Sequence, residues 1–202
     1  AEFKVIFFWE YLHRLLGRVI GLVFIVPFVI FWIKKWLNPK QKKQLLILLG
    51  LGALQGFLGW FMVKSGLVDV PAVSHFRLAI HLVTAFGLMC YIYWLILCFA
   101  EAEKSTNKTI NKLSQYLILA LLIQIIYGAF VAGLKAGYLL PVNGGIFESV
   151  FGYSFRNSSD FNLLNNGFDI QAFHRLFAWI VFAITLIIFN KTRKTALAKA
   201  GT

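Results

Sequence analysis

Trp9-Glu10-Tyr11-Leu12-His13-Arg14-Leu15-Leu16-Gly17-Arg18 runs without a break into the apolar stretch from Val19 to Ile33. Glu10, His13, Arg14, Gly17, Arg18 and Gly21 recur at spacings of three and four. On an α-helix an acid, an imidazole, two guanidiniums and two glycines therefore share one face. Ionisable groups at the head of a membrane-length segment are costly unless they meet a bundle interior, a partner or a cofactor. Snorkelling to lipid headgroups accounts for Arg14 and Arg18. It does not account for Glu10 and His13, which are expected to face inward with Gly17 and Gly21.

Composition extends this reading to the whole chain. Its 202 residues are 59% hydrophobic, 17% aromatic and only 14% charged, with a mean hydropathy of +0.75. That is too apolar for a soluble domain, and several runs exceed the length needed to span a bilayer. The net charge of +12 does not point to nucleic acid, because the basic residues fall in short loops between apolar runs and so report topology. No short apolar core with a small-residue cleavage site is found, so no signal peptide is expected. The chain opens on Ala1-Glu2 rather than Met.

Five spans are predicted, at residues 3–33, 45–63, 76–100, 113–133 and 170–189, making an all-α membrane protein, a transmembrane helical bundle. Asn38-Pro39 breaks the first connection. Gly128 and Gly133 offer small-residue packing positions in the fourth span. The connections after spans one and three and the tail carry five, three and four Lys or Arg. The opposite loops mix Lys64, Arg77, Lys135 and Arg156 with Asp69, Glu148, Asp160 and Asp169. The first set is therefore cytoplasmic, or on the matrix side, and spans one, three and five start on the outer side.

His13, His81 and His174 then lie at similar depth near the outer leaflet, each in the first turns of an inward-running helix. A single membrane histidine is more often a hydrogen-bonded contact between helices. Three at one level in alternate helices point further, since imidazoles on facing helices hold haem iron from both axial sides. Zinc is the competing metal, but no Cys, Asp or Glu cluster has suitable spacing. His75 is read as a boundary residue, and Cys90 and Cys98 as buried apolar thiols. A faint repeat is also visible. His13-Arg14-Leu15 echoes His174-Arg175-Leu176, and Gln55-x-x-x-Gly59 echoes Gln124-x-x-x-Gly128; duplicated bundles give such echoes.

Several motifs, in order, resemble the haem A synthase family. They are Glu10-Tyr11-x-His13-Arg14, Gln55-Gly56-x-Leu58-Gly59-Trp60-x-Met62-Val63-x-Ser65-Gly66-Leu67 and Arg77-Leu78-Ala79-x-His81-Leu82. Gly128-Ala129-Phe130-Val131-Ala132-Gly133-Leu134-x-Ala136-Gly137 and Phe173-His174-Arg175 extend the match across nearly the whole chain. The resemblance implies a pseudo-symmetric eight-helix architecture whose two halves each hold a bis-histidine haem site. It implies that this chain is a central fragment, with one helix before Ala1, two after Thr202 and the fourth histidine ligand beyond its end. Residues 1–100 would be the first half with the substrate-haem site, 101–112 a cytoplasmic linker, and 113–202 part of the second half. The Asn-x-Phe-Pro-x-Met element common in the family is replaced by Leu140-Pro141-Val142-Asn143-Gly144-Gly145, so loop details do not carry over.

The implied activity is oxidation of the C8 methyl of haem O to a formyl group, with haem b as cofactor, for terminal oxidase biogenesis. His13 and His81 would be the axial ligands of the substrate haem, and His174 a ligand of haem b. Glu10, one turn outward of His13, would be the catalytic carboxylate. Arg77, four residues before His81, is a haem propionate candidate, because a guanidinium binds carboxylate in bidentate fashion; Arg14 and Arg175 are further ones. A bis-histidine b-type cytochrome subunit is the alternative, and a proton-relay transporter a third reading. Glu10 favours the enzyme, since an electron carrier needs no carboxylate beside its ligand. The expected setting is the bacterial cytoplasmic membrane, or the mitochondrial inner membrane, with the lipid bilayer, the haem O-producing enzyme and a second copy of the chain as partners. The residues do not identify an electron donor.

Overall fold

Hydrocarbon offers no partner for a peptide N–H or C=O, so apolar runs of membrane length must satisfy their backbone internally as helices. The computed structural model of this chain describes residues 2–64, 73–101, 107–139 and 161–200, with side chains described from 8 to 193. It contains α1 (Glu2–Ile33), α2 (Pro39–Lys64), α3 (His75–Phe99), α4 (Lys108–Gly133) and α5 (Gly167–Ala200), with a short 3-10 turn at Ala136–Tyr138. All five helices are long and apolar enough to cross a membrane, and no strand occurs among the described residues. The chain is a multi-pass α-helical membrane protein. Ser65, Gly66, Leu67, Asp69, Glu148, Arg156, Asp160 and the Leu140–Gly145 replacement lie outside the described residues.

Two helices begin earlier than hydropathy alone predicts, and capping explains both. Asn38 and Gln41 form a reciprocal box: Gln41 N–H donates to Asn38 Oδ1 at 2.8 Å and Asn38 N–H to Gln41 Oε1 at 3.0 Å. Pro39 occupies the first helical position, where its missing N–H costs nothing. The pair read as a breaker is thus a helix start, and Lys40, Lys42 and Lys43 belong to α2. Likewise Asn107 Oδ1 accepts from the N–H groups of Thr109 and Ile110, both at 3.1 Å, and opens α4 inside the segment assigned to a linker. α1 closes in a Schellman arrangement, with Trp36 N–H on Phe31 O at 3.0 Å and Lys35 N–H on Trp32 O at 3.1 Å. Lys35 takes the left-handed conformation there (φ 57°) that glycine usually supplies.

The helices pack in chain order: α1 on α2, α2 on α3, α3 on α4 and α4 on α5. The core lies where the last three meet, built from Ala79, Ala129, Phe130 and Ile170, with Leu78, Ile126, Tyr127, Val131 and Leu134 around it. Little else is buried, because most apolar side chains of a membrane helix meet lipid. Cys90 and Cys98 follow this rule. Both are free and exposed on α3, which corrects the expectation of burial: an apolar thiol is as well placed against lipid tails as in a core.

His75 does more than mark a boundary. Its Nε2 lies 2.9 Å from Leu164 O, tying α3 to the turn that leads into α5. Its ring meets Phe130 edge to face at 5.0 Å. That turn is hung on α5 itself, since the buried Asp169 accepts from Asn162 N–H at 2.8 Å. Close approach of α3 and α4 at this end depends on Gly133, where an added Cβ would stand 2.7 Å from both Cα and Cβ of His75.

Gly133→Ala is therefore expected to destabilise the bundle by about 1–3 kcal/mol through forced backbone movement. Gly87→Ala, with nothing within 4 Å of the new methyl, should be neutral or slightly stabilising. Thermal unfolding in detergent distinguishes the two; equal midpoints would remove the packing role given to Gly133.

Candidate functional site: two histidine–glutamine–glycine clusters

His81 and His174 are half-buried, each pressed against the preceding helix by the same set of residues. On α2, Gln55 and Gly59 stand four apart and so share a face. An added Cβ on Gly59 would sit 3.1 Å from His81 Cε1. Gln55 Nε2 donates to His81 O at 3.1 Å and lies 3.1 Å from Nδ1 and 3.4 Å from Nε2 of the ring. On α4, Gln124 and Gly128 repeat the arrangement. The added Cβ on Gly128 would meet His174 Cε1 at 3.2 Å. Gln124 Nε2 donates to His174 O at 3.1 Å and lies 3.4 Å from ring Nε2. The repeat legible in the sequence is thus the pair of cradles that hold the two imidazoles.

The cradles differ in one residue. Thr84, one turn after His81, places its hydroxyl 2.7 Å from Gln55 Oε1 and 2.8 Å from Ile80 O. The equivalent position after His174 is Phe177, stacked on Phe173. Gln124 Oε1 is consequently buried without a hydrogen-bond partner, and so is His174 Nδ1.

α1 contributes less order. Among the described residues it packs only on α2, and Glu10, His13 and Gly17 are exposed while Gly21 is half-buried. The inward face expected for them is not formed, because one neighbouring helix cannot cover it. Glu10 is held by Arg14 in an i,i+4 ion pair at 3.2 Å, with both side chains exposed. Arg14, one of the propionate candidates, has its guanidinium in this pair. Arg77 is half-buried with its guanidinium 5.1 Å above the Phe61 ring, near His81 on the same helix. Arg175 is half-buried beside His174.

Among the described residues no three His, Cys, Asp or Glu side chains converge, so a bare ion is offered too few ligands. A macrocycle that brings its own four nitrogens needs only axial donors. The residues fit such a group: the His81 and His174 imidazoles are half-buried on membrane-length helices, each beside an amide of the neighbouring helix. What the sequence did not single out is Thr84. Its signal was a hydroxyl inside an apolar helix, one turn from a histidine.

A multi-pass helical membrane protein with paired histidine cradles is the class these features define. The chain belongs to the COX15-CtaA family of cytochrome oxidase assembly proteins, whose profile matches residues 1–202. It is similar to a protein of Flavobacterium johnsoniae named heme A synthase, 46% identical over 207 residues that cover 98% of this chain and 60% of that relative. Heme A synthases of Flavobacterium psychrophilum (42% identical, 98% and 60% covered) and Novosphingobium aromaticivorans (41%, 96% and 59%) are also similar. This chain therefore spans about 60% of the length of the curated relatives it matches. No solved structure matches it.

Gly59→Ala should push the His81 ring by a few tenths of an ångström, whereas Gly56→Ala meets nothing within 4 Å. Side-chain 15N NMR of detergent-solubilised protein should show the His81 resonances moved by the first and untouched by the second. Equal spectra would mean that the ring is not held by this contact.

Proposed function

We propose that the chain is the central part of a membrane-bound oxidoreductase, a haem A synthase that oxidises the C8 methyl of haem O to a formyl group with haem b as cofactor. The observation that carries the reading is the duplicated cradle: two histidines, in successive helix pairs, held by the same Gln and Gly against half-buried surfaces. Family membership and the names of the relatives support it. In this reading residues 1–100 form the half that takes the substrate, and 113–202 contribute to the half that holds the cofactor.

His13 and His81 would hold the substrate haem, and His174 would help hold haem b, which when bound would supply the redox chemistry. Glu10 stands one turn from His13. A fixed carboxylate beside a carbon that loses electrons stabilises the charge developing there, and it can take a proton from a hydroxylated carbon. Arg14 pairs with that carboxylate at 3.2 Å. Arg77 and Arg175 are the groups on this chain suited to propionates. The bilayer excludes water from the cradles, strengthening each polar contact within them. The reading also places the protein in the bacterial cytoplasmic membrane, receives haem O from the enzyme that makes it, and includes a homo-oligomer.

In the full-length protein Glu10→Gln is expected to bind haem with a wild-type spectrum yet yield little or no haem A. His81→Ala should instead remove one low-spin haem from the spectrum. Pigment extraction from a strain carrying only the Glu10→Gln protein measures the first. Normal haem A there would move the reading to the b-type cytochrome alternative.

A further inference from the structure

We infer that the α1–α2 connection is a binding site for an anionic phospholipid, whose phosphate is held between the ends of the two helices. The site involves neither histidine cradle and is independent of the haem reading above.

Lys34, Lys35, Lys40, Lys42 and Lys43 crowd one short connection, and no Asp or Glu occurs between Glu10 and Asp69. Topology asks only for a bias of charge along the chain. It does not ask where each ammonium goes, and here two of them are placed. Lys34 Nζ lies 4.8 Å from the centre of the Trp36 ring, and Lys42 Nζ lies 5.1 Å from that of Trp32. The second pair reaches from the first turn of α2 back to the last turn of α1. Both indoles are exposed, and membrane proteins set such rings at headgroup level. The ammoniums over their faces are therefore kept at the depth of lipid phosphates. The backbone beneath is fixed at both ends, by the Schellman bonds of Lys35 and Trp36 and by the reciprocal box of Asn38 and Gln41.

Without an anion this arrangement is unfavourable. The start of a helix carries the positive end of its dipole and favours acids. α2 instead opens with Lys40, Lys42 and Lys43 and has no acid in its first turn. Lys34 and Lys35 bring two further charges from the end of α1. Among acids whose side chains are described, Glu101, just after α3, is the one at this end of the bundle. The repulsion bears on the least fastened helix, since α1 packs on α2 alone among the described elements. A phosphate shared by lysines of both helices relieves it and ties α1 to α2. One turn deeper, the exposed Ile30 and Ile33 of α1 and Leu46 and Ile47 of α2 offer apolar surface to acyl chains. That surface beneath the charges favours a lipid over an acidic protein segment, and basic surfaces between membrane helices are suited to such headgroups.

The test uses the full-length protein in detergent with equal amounts of phosphatidylglycerol and phosphatidylcholine, reading retained lipid by native mass spectrometry and the unfolding midpoint with each lipid alone. Wild type should retain phosphatidylglycerol in preference, and that lipid should raise its midpoint. Lys34→Gln/Lys42→Gln should reduce the preference by about tenfold to thirtyfold, the scale of two lysines beside an anionic headgroup. Lys34→Arg/Lys42→Arg, which keeps both charges, should retain it. Lys108→Gln/Lys112→Gln removes two exposed lysines from the start of α4, on the same side of the membrane, and should change the preference less than twofold. Equal losses in the two glutamine variants would mean that charge acts only in bulk, and would overturn the site. So would equal retention of the two lipids by wild type, or displacement of phosphatidylglycerol by soluble glycerol phosphate at matched concentration, which would leave a small-anion site in place of a lipid site.

Discussion

A carbonyl already bonded within its helix still has a second lone pair, and in hydrocarbon no water comes to use it. His81 O and His174 O are such carbonyls, and the Gln55 and Gln124 amides have found them. This contact sets much of what surrounds it. It brings α2 against α3 and α4 against α5 at a fixed height, which leaves each imidazole lying over the backbone of the preceding helix. An added methyl would be tight there, so Gly59 and Gly128 are part of the same constraint. Polar contacts in membranes are individually modest, but here each also fixes the orientation of a ring.

The Tyr91 hydroxyl bonded to the buried Gln44's carbonyl at 3.1 Å makes a second tie between α2 and α3, further along the pair. The small core of Ala79, Ala129, Phe130 and Ile170 joins the two helix pairs through α3 and α4. The halves implied by the repeat are therefore not independent bodies. α1 stands apart from this scheme, fastened to α2 alone, and its ionisable face meets Arg14 from its own helix rather than a neighbour.

Much of the fold was legible because bilayer thickness imposes one length on every apolar run. The helix starts were less so. Asn38-Pro39 reads equally well as an interruption and as a cap with proline at the first turn, and only the reciprocal bond with Gln41 decides between them. The Gln-x-x-x-Gly repeat was visible as a pattern, yet nothing local says that its partner is a histidine one helix on. The difference between Thr84 and Phe177 was invisible until the two cradles could be superposed in register. Cys90 and Cys98 were misplaced for a different reason: hydrophobicity sends a side chain away from water, and here lipid serves that end as well as a core does.

Lys35, Glu101 and Lys135 are the residues with positive φ outside glycine among those described, and each follows the last turn of a helix. A left-handed backbone costs a side-chain-bearing residue about 1–2 kcal/mol, a strain that glycine would relieve. What the charged side chains provide is resistance to sliding. A helix that ends on a charge cannot shift along its axis without drawing that charge toward hydrocarbon, so these ends act as depth stops. Registration of α3 with α2, on which the alignment of His81 with Gln55 and Gly59 depends, is in this way referred to the headgroup plane as well as to the neighbouring helix.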